Sequence, residues 1–188
     1  MSSGMLIRHC APTLAGIKTG NLFSCACPSQ QDLRCDIRRL NQKLVPKGIR
    51  VIPLRCAKER ALIYVYRPSH LGLDLSDQET RKLLRDAGYQ SMRTEHCVLE
   101  LIRRLNSREE FPHEIGLFLG YPPEDVQGFI QNKAENCKCV GCWKVYGDEK
   151  EAKKQFERYE KCTKSYRKQW EQGVSVEQLA VGMGTETK

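Results

Sequence analysis

A chain of 188 residues is long enough to bury about two-thirds of its unfolded surface without disulfide staples. With 40% hydrophobic and 29% charged residues it is ordinary for a globular protein, and no apolar run approaches the roughly 20 residues that span a bilayer. The net charge of +8 permits an acidic partner, but it is interleaved with glutamate and no nucleic-acid motif accompanies it, so neither nucleic acid nor membrane is the expected partner.

The first residues, MSSGMLIRHCAPTLAG, lack a long apolar stretch of the secretory kind, which predicts a cytoplasmic location. In that setting ten cysteines are expected as thiols: ligands, nucleophiles or small buried groups. Residues 5–9 read as a short strand. Pro12 suits the first turn of a helix through HCAPTLAGIKTGNLF. Cys10 would then precede a helix N-terminus, where the dipole favours a thiolate. Residues 24–29 read as a loop.

Ser29 with Asp32 is an N-cap signal, and Leu33, Ile37, Leu40 and Leu44 recur at helical spacing. Pro46 and Gly48 end that helix. Residues 49–54 and 61–66 predict an antiparallel hairpin, with ALIYVY apolar enough for a central strand. Ser76 and Glu79 form a capping-box pattern for a helix that stops at Gly88. Another helix begins near Thr94 with the stripe Val98, Leu101, Ile102 and Leu105.

Two short helices are predicted over 114–119 and 123–130, broken at Gly120-Tyr121-Pro122. Residues 143–146 read as a strand expected to join the hairpin in one sheet. Asp148 caps the last long helix, and Ser175 with Gln178 opens a short final one. The tail VGMGTETK is expected to fray. Together these predict an α+β fold: one domain over 1–188, with an ordered core over about 5–180. It holds a small, mainly antiparallel sheet of three or more strands with six to eight helices.

Two constellations carry chemistry. Cys137-Lys138-Cys139-Val140-Gly141-Cys142 contains C-x-C and C-x-x-C spacings, which present sulfurs to one metal. Cys139 and Cys142, with Cys162 or Cys10 from a distance, would suit iron or zinc; the plainer reading is reduced thiols, some packed on Trp143. The second pairs Cys10 as nucleophile with His113 as acid/base and Glu114 as its orienting group. Here the plainer reading of His113 is a helix-start hydrogen bond. GIKTG fails the phosphate-loop pattern, although Lys18 there could contact an anion. Tyr64, Tyr66, Trp143 and Tyr146 alternate on strands and read as packing.

HCAPTLAGIKTGNLF, YVYRP, FPHEIGLFLGYPPEDVQGFI, CVGCWKVYGD and YEKCTKSY together resemble the bacterial domain-of-unknown-function family 3793, over about residues 6–179. The motif residues are Cys10, Lys18, Asn21, Arg67, His113, Glu114, Tyr121, Asp125, Cys142, Lys144, Tyr146 and Cys162. Lys18, Asn21, Arg67, Tyr121 and Lys144 are the expected anion or substrate contacts. The resemblance implies a role in iron or redox handling, with a small-molecule substrate or metal ion and a flavodoxin-like redox partner. Cys25, Cys27, Cys35 and Cys56 fall outside the motifs and receive no role. A thiol-dependent enzyme or redox factor is the leading expectation. A cysteine-ligated metal protein is the second, and an adaptor using the basic helix over 150–168 the third.

Overall fold

The computed structural model describes residues 3–107 and 111–182. The fold is α+β, and the chain divides into two compact units. Unit 1 comprises Met1–Ser69 with Lys161–Lys188, and unit 2 comprises His70–Glu160.

Unit 1 opens with helix α1 (Ser3–Leu14), where a strand followed by a helix was expected. The governing signal is the spacing of Leu6, Ile7, Cys10, Ala11 and Leu14, all buried, which repeats with the α-helical period. Pro12 sits in the last turn rather than the first. Gly16, at φ +76, lies just beyond the helix end in a conformation that favours glycine. The chain then enters strand β1 (Gly20–Ala26), read from sequence as helix and loop.

Helix α2 (Gln30–Leu44) follows, capped as expected by Ser29, whose hydroxyl accepts from the Asp32 N–H at 3.2 Å. A 3-10 turn (Val45–Lys47) leads to strand β2 (Arg50–Ala57), which pairs antiparallel with strand β3 (Arg60–Tyr66). Lys58 and Glu59 both have positive φ, the backbone of a tight two-residue hairpin turn. The sheet order is β1-β3-β2, so ALIYVY is the central strand, as its apolar run predicts. The third strand of this sheet is β1, not residues 143–146.

Pro53 is tolerated because β2 lies at the sheet edge. Part of that edge is covered by Asn41 of α2, whose amide bonds both N–H and C=O of Val51 at 2.9 and 2.8 Å. Ala61, Ile63 and Val65 of β3 join Leu6, Leu14, Phe23 and Ile37 in one core.

Helix α3 (Pro68–Asp74) follows β3 and was not anticipated. Unit 2 continues with α4 (Gln78–Asp86) and α5 (Thr94–Ser107). Asp77, rather than Ser76, caps α4 by accepting from the Thr80 N–H at 2.8 Å; the Ser76 hydroxyl turns back to the Leu73 carbonyl. Gly88, at φ +89, ends α4 as expected. Helices α6 (Ile115–Phe118) and α7 (Pro123–Gln131) form the predicted hairpin.

Strands β4 (Cys139–Val140) and β5 (Lys144–Val145) make a separate two-stranded sheet. Helix α8 (Glu149–Glu171) begins in unit 2, and α9 (Val176–Leu179) closes unit 1 with the expected capping box. The described residues thus hold nine α-helices, one more than the upper expectation. No helix among them is long and apolar enough to cross a membrane. Of the predicted tail, residues 183–188 lie outside the described residues.

Candidate functional site

The site belongs to unit 2 and is built from the stretch 111–146. Pro112 and His113 supply carbonyls to the Ile115 and Gly116 N–H groups, which turns the chain into α6. Gly120 at φ +72 ends that helix, and Pro123 occupies the first turn of α7, where its missing N–H costs nothing. The two helices approach closely because Gly116 has no side chain: a Cβ there would lie 2.7 Å from Val126 Cγ2.

Asp125 on α7 anchors the later strand and turn. Its carboxylate is 3% exposed and accepts three hydrogen bonds: from Trp143 Nε1 at 2.6 Å and from the backbone N–H groups of Tyr146 and Gly147 at 2.7 Å each. A buried carboxylate is tolerated when its lone pairs are filled in this way. The bonds fix β5 and the start of α8 against α7. Gly128 leaves room for the Tyr146 ring, and Gly141 for Phe156. Trp143 is thereby held between Tyr121, stacked at 4.8 Å, and Phe156, edge-on at 4.6 Å.

These elements enclose a cavity of about 290 Å³. His113, Tyr121, Phe129, Val140, Trp143 and Lys144 are on its lining. The His113 ring lies edge-on to Phe129 at 5.0 Å. Burial pushes the Tyr121 phenol up to about 12, so it stays protonated and donates to the Cys142 carbonyl at 3.2 Å. Lys144 Nζ donates to the Ala134 carbonyl at 2.6 Å, and no carboxylate pairs with it among the described residues. Three of the expected contacts, His113, Tyr121 and Lys144, therefore share one cavity.

Glu114 is engaged elsewhere. Its Oε1 accepts from Arg104 Nη1 at 3.3 Å and from the Tyr89 hydroxyl at 3.4 Å. Arg104 also donates to Glu100 at 2.7 Å and lies over the Tyr89 ring at 4.3 Å. Burial, with Glu114 beside it, drives the Tyr89 phenol strongly upward. Sequence reasoning gave Arg104 no role, although Glu100 stands four residues earlier, at the helical ion-pair spacing. It placed Asp125 on a motif without seeing the three donors, which come from a strand and a turn far along the chain.

The remaining expected residues are in unit 1, with two exceptions. Cys10 is 0% exposed, midway along α1 rather than before a helix N-terminus. Burial pushes its thiol strongly upward, and the opposing charge of Lys18 is the lesser influence. Nothing in this setting supports a thiolate nucleophile. Lys18 is itself buried. Asn21 Oδ1 accepts from the Thr13 hydroxyl at 2.7 Å. Arg67 binds four carbonyls: Thr13, Leu14 and Val181 at 2.8 Å and Lys47 at 3.3 Å.

The exceptions are Cys139, on β4, and Cys142, exposed in the β4–β5 turn, both in unit 2; Cys162 is on α8 in unit 1. None of the ten cysteines is in a disulfide. Among the described residues no group of three or more His, Cys, Asp or Glu side chains is arranged to hold a metal ion, so the iron or zinc reading gains no support.

No curated protein and no solved structure matches the chain. The model of the family described as "Protein of unknown function (DUF3793)" matches residues 6–180, which include every element from β1 to α8. The resemblance carried by the Pro-His-Glu and Gly-Tyr-Pro-Pro motifs is thus upheld, and the chain belongs to domain-of-unknown-function family 3793.

Proposed function

We propose that unit 2 is a binding module for a small apolar, ring-containing molecule that carries one acidic group. The observation supporting this is the cavity of about 290 Å³, walled by the rings of His113, Tyr121, Phe129 and Trp143, with Lys144 on its lining. Ligand sites commonly combine mainly apolar walls with a few placed polar groups. Flat rings suit a flat guest. The lysine ammonium, bonded to a carbonyl rather than a carboxylate, keeps its charge for an anion. His113 adds a ring nitrogen that can donate or accept a hydrogen bond. Thiol chemistry at Cys10 and a cysteine-ligated metal are the weaker readings, because the thiol is buried and no donor cluster forms among the described residues.

The probe is 1-anilinonaphthalene-8-sulfonate, an apolar arylsulfonate. In a Trp170→Phe background Trp143 is the sole tryptophan. Saturable quenching of its emission is expected, with Lys144→Met weakening the dissociation constant about tenfold, equivalent to ~1.4 kcal/mol. Absence of saturable quenching, or equal affinity in Lys144→Met, would remove the proposal.

A further inference from the structure

Four cysteines outside the family motifs were given no role, yet the fold gathers three of them. In the sheet register Cys25 of β1 and Cys56 of β2 both stand opposite Ala61 of the central strand. Residues level with one another across a sheet point to the same face. Ala61 between them is the smallest side chain that still points that way. Cys27 lies two residues beyond Cys25, and its N–H donates to the Glu59 carbonyl at 2.6 Å, which folds it over the hairpin end.

The Cys27 and Cys56 side chains are within hydrogen-bonding reach of each other. Cys25 and Cys27 are buried and Cys56 is half-buried, so one sulfur of the group is open to a small reagent. Cys27, Cys25 and Cys56 all belong to or pack on the unit 1 core.

We propose that Cys27 and Cys56 form a reversible dithiol site, oxidised by small-molecule disulfides of the glutathione class to an intramolecular Cys27–Cys56 disulfide. The Cys56 thiolate attacks one sulfur of the reagent, giving a mixed disulfide and releasing one thiolate. Cys27 then loses its proton and attacks Cys56 Sγ, forming the internal bond and releasing the second thiolate. Two protein thiols are oxidised, and one reagent disulfide is reduced to two thiols. A disulfide needs Cβ atoms about 3.5–4.5 Å apart, a spacing that thiols in hydrogen-bond contact can meet by side-chain rotation. Cys27 directly precedes the capping turn at Ser29, so the bond would tie the start of α2 to strand β2. Cys25, on the same face, is the thiol placed to exchange with it.

The test uses the full chain, folded, treated with oxidised glutathione. Free thiols are blocked with iodoacetamide, and the digest is mapped by mass spectrometry before and after reduction. The expected result is joint loss of the iodoacetamide label at Cys27 and Cys56, one cross-linked peptide pair, and recovery of both labels after dithiothreitol. Cys27→Ser should leave glutathione on Cys56. If that variant does not fold, the wild-type map decides alone. Full labelling of both cysteines after oxidation, or glutathione on each with no cross-link, or a bond from either to a different cysteine, would overturn the assignment.

Discussion

Each unit buries one arginine to about 2% exposure, and the two are handled in opposite ways. In unit 1 Arg67 meets only carbonyls. Thr13 and Leu14 are the last residues of α1, so the guanidinium sits at the negative end of that helix dipole. The other two carbonyls come from the 3-10 turn and from Val181 after α9, so one side chain gathers three chain segments. In unit 2 Arg104 meets two carboxylates and the face of Tyr89. The first arrangement satisfies backbone acceptors that would otherwise be orphaned at a helix end. The second neutralises charge. Arg67 was expected as an anion contact, and its geometry is that of a clasp.

The contrast predicts unequal losses. Arg104→Met should be the most destabilising change, by about 3–5 kcal/mol, because it leaves the Glu114 carboxylate buried without its cation. Urea midpoints would measure it. Adding Glu114→Gln should recover part of the loss, since the orphaned charge is then gone. A double variant no more stable than Arg104→Met would show that lost packing, and not the unpaired carboxylate, sets the cost.

Arg67→Met should cost less, about 2–4 kcal/mol, as four carbonyls lose a donor but no charge is stranded. Arg67→Lys sharpens the point. A lysine is a single ammonium on a flexible stem and cannot span carbonyls from three segments, so it should restore under half of the difference. Full rescue by lysine would mean that the charge at the end of α1 matters, and not the fork geometry.

The same contrast explains what could be read from sequence. Hairpin β2–β3, its central strand, the Ser29 and Ser175 caps and the α6–α7 break follow from local turn chemistry and short-range periodicity. The α1 error came from weighing Pro12 as a start signal above a buried stripe that was already visible at Leu6, Cys10 and Leu14. Strand β1 was missed because GNLFSCA is short and carries polar residues; its pairing with β3, forty residues away in sequence, supplies what its own residues do not. The cavity was half legible. His113, Tyr121 and Lys144 were singled out for their chemistry. What brings them together is Asp125 and the side-chain-free surfaces of Gly116, Gly128 and Gly141, which no local pattern advertises. The three-cysteine face was illegible for a related reason, since sheet register creates it.

The smallest expected effect tests the acidic half of the comparison by pH. Arg103, followed by Arg104, holds the Glu100 carboxyl at about 2, below its ordinary value near 4.5. A carboxylate whose folded value is depressed adds stability that is fully present above its unfolded value and disappears as the pH falls towards the folded one. The Glu100 contribution should therefore fade between about pH 4.5 and about pH 2. Arg103 is largely exposed and bonds Glu100 through two nitrogens at 2.7 Å each, so solvent screens much of the pair. Arg103→Met should cost under about 1 kcal/mol at neutral pH and nothing measurable below about pH 2. Asp77 and Asp148, also held low by backbone N–H groups, titrate equally in both proteins, so the difference between wild type and variant isolates Glu100. A difference that stays constant from neutral pH to about pH 2 would mean that Arg103 stabilises α5 through helix propensity or packing, and not through the carboxylate.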